Sequence, residues 1–164
     1  MKKRSRLISL LTALITGLCI HASSALAEEG HTPEGVVKAF AGAYFMLDET
    51  MADYMSRDAL YNENAVNRVD LYFRVKEQEA ASRGFGFDYL KMRPILMKTR
   101  VVSEEEDTAV IAFRAVMIRS INPLYRIVGY VFGLLEEHEF ETTVTAVKED
   151  GTWKVGPGGF AFPA

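Results

Sequence analysis

The sequence predicts an α+β domain, with helices first and antiparallel strands after them. Three observations carry this. An apolar segment from Val36 to Leu47 follows the helix-start signal Thr32-Pro33-Glu34. Beyond Pro94 the apolar period falls from helical spacing to two. Asp150-Gly151 then separates two strand-like runs, as a tight hairpin turn requires.

Ahead of that domain stands a segment of a different kind. Lys2, Lys3, Arg4 and Arg6 precede an apolar run from Leu7 to Ile20, and Ala25-Leu26-Ala27 has the small-x-small form of a signal-peptidase site. The expected organisation is a signal peptide over residues 1–27, a short leader over 28–31 and one domain over 32–164. Cleavage after Ala27 places the product in the periplasm or outside the cell. Losing 27 of 164 residues leaves 137, enough to bury a core unaided. Four of the 19 basic residues leave with the signal while all 22 acids remain, so the formal charge moves from −3 to −7. An acidic chain is a poor partner for nucleic acid, and for anionic lipid by charge alone. Cys19, the single cysteine, lies in the signal. A lipoprotein reading of Cys19 meets Leu18 where a small residue belongs. The processed chain therefore has no thiol for catalysis, disulfides or iron–sulfur ligation. No later apolar run reaches the roughly 18 residues of a membrane span.

In chain order, Thr32 is the N-cap of the first helix, Pro33 its first residue and Glu34 the acid of its first turn. Lys38 is the only charge up to Leu47, so this helix is expected to be buried on every side. Asp48 can cap a second short helix through Met51, Tyr54 and Met55. Residues 57–64 read as polar and irregular. Ala65 to Arg83 reads as a helix stopped by Gly84, with Val66, Val69, Phe73 and Ala80 near one face. Gly84-Phe85-Gly86 is a turn rather than a phosphate loop. Ile95, Met97, Thr99 and Val101 alternate with Leu96, Lys98, Arg100 and Val102. Glu104-Glu105-Glu106-Asp107 forms a hairpin tip without the alternating ligands of a calcium loop. Long strands follow over Thr108 to Arg119 and Glu137 to Lys148, and a final one carries Trp153 and Val155.

This order and size resemble the NTF2-like (SnoaL-like) superfamily. The buried first helix, the Asp48-to-Met55 segment, the third helix and the hairpins ending in Asp-Gly-Thr-Trp-Lys-Val carry the resemblance, from about Thr32 to Phe162. It implies a cone: N-terminal helices packed in a curved antiparallel sheet, with a pocket at the open end. The superfamily includes enzymes, ligand binders and interaction domains, so the fold assigns no function.

A helical insertion between two strands is the unusual element. Asn122-Pro123 starts it, and Leu124, Ile127, Val128, Val131, Leu134 and Leu135 share a face at helical spacing. Tyr125, Arg126, Gly129, Tyr130 and Gly133 lie opposite, Gly129 and Gly133 forming a flat strip. The favoured reading is a plug of core residues in the open end. The others are a lid over an apolar pocket, an interfacial membrane helix, and self-association through the glycines. Arg126 as its only basic residue, with Glu136-Glu137 behind it, argues against membrane contact.

Among polar residues, His138 shares the parity of Phe140, Thr142, Val144 and Ala146, and stands beside the insertion. It is the one candidate general base, to be oriented by Tyr130 or a carboxylate such as Asp70. A hydrogen-bonded or rim-exposed histidine is the plainer reading. Arg114, mid-strand, needs an acid partner or water, which Glu139 and Glu141 across the sheet can supply alongside Lys98 and Arg100. The same face carries Val116 and Ile118, as a sheet-to-sheet homodimer would. Met46, Met51 and Met55 have thioethers that suit Cu(I), but their helical spacing fits core filler better. The sequence thus leads to an exported, non-catalytic domain that binds a small apolar ligand or a protein partner, with His138, Tyr130, Phe140, Ile127 and Val131 as the lining, and no metal or cofactor. The enzyme alternative is acid–base chemistry on an apolar substrate through His138.

Overall fold

The computed structural model describes residues 31–120 and 122–163. The segment read as a signal peptide, residues 1–27 with Cys19 in it, lies outside the described residues. The described chain is α+β, with helices ahead of one open four-stranded antiparallel sheet and a further helix inserted between its second and third strands.

Helix α1 spans Pro33–Phe45, and the Thr32 side chain accepts a hydrogen bond from the Gly35 amide at 3.0 Å. Val36, Val37, Phe40, Ala41 and Phe45 of α1 are buried, as an almost uncharged helix requires. Asp48 caps a 3-10 turn over Glu49–Tyr54 through Thr50, and Met51 at its centre is fully buried. Arg57–Leu60, expected to be irregular, forms a single helical turn, α2. Buried Ser56 caps it, its hydroxyl accepting from the Ala59 amide while its own amide donates to the Val155 carbonyl. Helix α3 spans Arg68–Ser82. It starts three residues later than the periodicity predicts. The Asn62 carboxamide accepts from the Asn64 and Val66 amides and holds a turn there, and Ala65 lies at φ 56, where a helix cannot begin. Asn67 then becomes the cap. The buried face of α3 is Val69, Tyr72 and Ala80, so Tyr72 takes the place expected for Phe73, which is half-buried.

The strands are β1 (Met92–Glu104), β2 (Thr108–Arg119), β3 (Glu137–Glu149) and β4 (Thr152–Val155), in that spatial order. Along β2 the buried residues Ala109, Ile111, Phe113, Ala115 and Met117 face the helices, and Val144 and Ala146 of β3 join them. This is the inner face. β1 carries a register shift between Pro94 and Leu96. A bulge puts one extra residue out of step, and Ile95 is turned to the outer side, against the expected alternation.

The C-terminal tail closes the inner face. After β4 the chain turns through Gly158 and Gly159, both at positive φ, and lays Phe160 and Phe162 onto α1. Phe160 meets Phe40 edge-on at 4.8 Å between ring centroids and stacks on Phe140 at 5.5 Å. Tyr44 stacks on Tyr72 at 5.1 Å and donates to the Ala161 carbonyl. Aromatic rings from α1, α3, β2, β3 and the tail therefore pack together inside, and none of the described side chains of the inserted helix takes part.

Tyr72 gives this interior a titration signature. Burial, and after it the adjoining Tyr44 phenol, push its hydroxyl far above the ordinary phenol value. A raised folded-state pKa gives stability that is complete below the unfolded value near 10 and is lost as pH rises above it. Thermal melting is expected to fall steeply above pH 10, by up to about 1.4 kcal/mol per pH unit from this group. Tyr72→Phe should flatten that limb; equal slopes for the two proteins would contradict it.

Candidate functional site

Helix α4 spans Pro123–Val131, and the Asn122 side chain caps it by accepting from the Leu124 amide at 2.9 Å. It ends at Gly133, whose φ of 64° lets the Leu134 amide donate to the Gly129 carbonyl at 2.7 Å. The chain then doubles back and Leu135 lies against Gly129. A Cβ at Gly129 would stand 3.0 Å from the Leu135 Cδ2. Leu134 and Leu135 thus fall beyond the helix rather than on its apolar face.

α4 is turned inside out. Leu124, Ile127 and Val131 are 67%, 63% and 70% exposed, while Gly129 is buried. The helix lies over the outer face of the sheet, not in the open end of the inner one. Between them runs a cleft of about 560 Å³. Its floor is Ile95 and Ile118; its roof is Ile127, Gly129, Tyr130 and Val131; Arg126 and Glu137 stand at its sides. Ile118 pairs with Glu137 across β2 and β3 and with Arg93 across β1 and β2. It follows Met117 on the strand, so it belongs to the outer face, where it lines the cleft together with α4 and Leu135.

The five residues expected to line one site divide between two faces. Ile127, Tyr130 and Val131 meet in the cleft. Phe140 is on the inner face, packed among Phe45, Phe113 and Phe160. His138 pairs with Met117 and lines a separate recess of about 200 Å³ with Arg119, Leu134, Leu135 and Glu136. Tyr130, proposed to orient His138, is 81% exposed and lines the cleft instead. Among the described residues no hydrogen bond links the His138 ring to a phenol or a carboxylate. Asp70 sits in the first turn of α3, its amide bonded to the Asn67 cap, where a carboxylate complements the helix dipole. Arg119 stacks on Tyr89 at 4.2 Å and donates to its carbonyl.

Elsewhere on the outer face, Arg114 bridges Glu139 at 2.9 Å and Glu141 at 3.0 Å. Arg114 and Glu141, with Lys98, Arg100 and Thr143, line a shallow open depression. Met51 and Met55 are core residues, and Met46 ends α1. Among the described residues no group of three histidine, cysteine or acidic side chains is placed to hold a metal ion. No described helix is long and apolar enough to cross a membrane.

No protein-family model matches this chain, and no curated protein matches it. Beyond the expected lining, the cleft takes in the apolar side chains of Ile95, Ile118 and Leu135, together with Arg126, Gly129, Gly133 and Glu137. Two signals point to Ile118 and Leu135. Met117 and Ile118 are adjacent apolar residues on a strand of period two, so one of them must face away from the core. The sequence Gly133-Leu134-Leu135 puts a leucine just past a helix stop, where it can fold back on the glycine strip.

Proposed function

We propose that this chain is an exported, non-catalytic binding domain of NTF2-like architecture. It takes a small apolar ligand in the cleft between α4 and the outer face of the sheet, with α4 as the lid. The cleft carries this reading. Its volume lies in the range of about 300–1,000 Å³ usual for small-molecule sites, and its floor and roof are aliphatic with one tyrosine and one arginine at hand. An apolar helix roofing an apolar floor can rise without breaking any core contact, as a lid must. Export is supported by the basic, apolar and small-x-small order of residues 1–27. The helices packed on one face of an antiparallel meander agree with the cone, and the aromatic filling of the inner face leaves the outer cleft as the place for a ligand.

The uncharged fluorophore N-phenylnaphthylamine tests the reading. The protein is expected to bind it with a blue-shifted emission. Ile127→Glu puts a carboxylate into the roof at a position that is largely exposed, so binding should weaken at least about tenfold, or 1.4 kcal/mol, with an unchanged melting temperature. Undiminished binding by Ile127→Glu would remove the cleft from the account.

A further inference from the structure

We infer that the outward face of α4 and the loop after it dock this domain onto an anionic lipid surface. This stands apart from the ligand cleft, because the apolar side chains it rests on do not line it; of its charged residues, Arg126 and Glu137 do. Leu124, Phe132 and Leu134 are 67%, 70% and 73% exposed, and none of the three faces the cleft. With Val128 they form an apolar crest around one short helix. The Leu124 amide donates to the Asn122 cap, and the Val128, Gly129 and Tyr130 carbonyls accept from Phe132, Leu134 and Gly133. A crest of this kind can bury its apolar side chains at the headgroup boundary while the capped ends of the helix stay in the polar region.

Charge decides between a lipid surface and a second copy of the chain. Strand pairing brings one basic residue that is remote in sequence, Arg93, to the end of the sheet that leads into α4. Arg93 is exposed beside Ile118, Arg119 ends β2, and Arg126 lies on α4 itself. Glu136 and Glu137 stand at the same end, and Lys91 is paired with Asp88 at 2.7 Å. The formal balance there is three arginines against two glutamates, with Arg119 stacked on Tyr89 and donating to its carbonyl. The opposite end of the sheet holds Glu104, Glu105, Glu106 and Asp107 at one hairpin and Glu149 and Asp150 at the other. The 12 residues of β2 separate the two ends by about 40 Å at roughly 3.3 Å per residue. That is several times the Debye length of about 8 Å at physiological salt, so the acidic end is screened from anything α4 touches. An anionic surface therefore meets the basic, apolar end and orients the domain with its acids outward. Two copies joined through α4 would instead bring their arginines together. Apolar insertion supplies the affinity, and the arginines supply the orientation and the preference for anionic lipid.

Flotation of the full chain, purified as the cell processes it, tests this with vesicles of phosphatidylcholine alone or mixed equally with phosphatidylglycerol. The wild-type chain is expected to float with the mixed vesicles. Leu124→Ser/Phe132→Ser should reduce the bound fraction at least about tenfold while N-phenylnaphthylamine binding persists. Arg93→Glu should weaken binding to the mixed vesicles and leave the phosphatidylcholine control unchanged. Phe132→Ser alone serves if the double variant melts early. Failure of the wild type to float, or flotation unaffected by these substitutions, overturns the inference. So does a wild-type dimer by light scattering that Leu124→Ser/Phe132→Ser converts to monomer, because the crest is then a protein interface.

Discussion

Phe40→Ala is expected to cost about 3–5 kcal/mol, the range for truncating a buried aromatic. The melting temperature should fall by roughly 10–20 °C. Phe40 has no exposed surface and sits where α1 meets the C-terminal tail. Its ring contacts Phe160 edge-on, Tyr44 at 5.9 Å and Phe162 at 6.3 Å. Removing it opens a cavity and also takes away the surface on which the tail lies. Phe160 and Phe162 belong to an irregular segment, and the ladder hydrogen bonds of the sheet do not hold them. The tail should therefore become sensitive to proteolysis before the sheet does. A fall of less than about 3 °C would mean that the tail does not pack on α1 as described.

Gly159→Val is expected to be nearly as damaging, at about 3 kcal/mol or more, through strain rather than lost burial. Gly159 lies at φ 81°, and a Cβ there would stand 2.9 Å from the Thr143 carbonyl oxygen and 3.1 Å from a Val144 methyl. Its own carbonyl accepts a hydrogen bond from the Thr142 hydroxyl at 2.8 Å, so the tail cannot slide away without losing a partner. Gly158 provides the control. It has φ 86° and nothing within 4 Å of its Cβ position, so Gly158→Ala should cost only the backbone term of about 1–2 kcal/mol. Equal losses for the two, measured by denaturant unfolding, would contradict the close approach at Gly159.

These two positions also show what the sequence makes legible. Local signals read well. Thr32-Pro33 starts α1, Asp48 caps the turn behind it, and Asp150-Gly151 joins β3 to β4, because capping and turn chemistry act within a few residues. The buried character of α1 follows from its near lack of charge. The glycines after Val155 read as an end to pairing, but nothing local says that the chain returns across the inner face. Aromatic packing of Phe160 on Phe40 spans most of the described chain and depends on tertiary shape.

The candidate site was legible by halves. The apolar stripe of α4 is plain in its spacing, and Ile127, Tyr130 and Val131 are found together in the cleft. Amphipathic spacing reveals that a helix has two faces; it does not tell which one meets the protein. α4 presents Gly129 to Leu135 and Leu124 to solvent, the reverse of a core plug. His138 and Phe140 were joined to α4 by nearness in sequence, yet strand alternation places them on the other face of the sheet. Arg93 reached the same end as α4 only through the β1–β2 register, so the surroundings of α4 are more basic than its own sequence suggests.

The proposed ligand site is the outer cleft under α4, and aromatic packing closes the inner face. Backbone and methyl NMR of the protein titrated with N-phenylnaphthylamine tests it most directly. Saturable shifts are predicted at Ile95, Ile118, Ile127, Gly129 and Gly133, with Phe113, Val144 and Phe160 unmoved. Shifts concentrated at Phe113, Phe140 and Phe160, with the α4 signals unchanged, would place the ligand inside the sheet and contradict it.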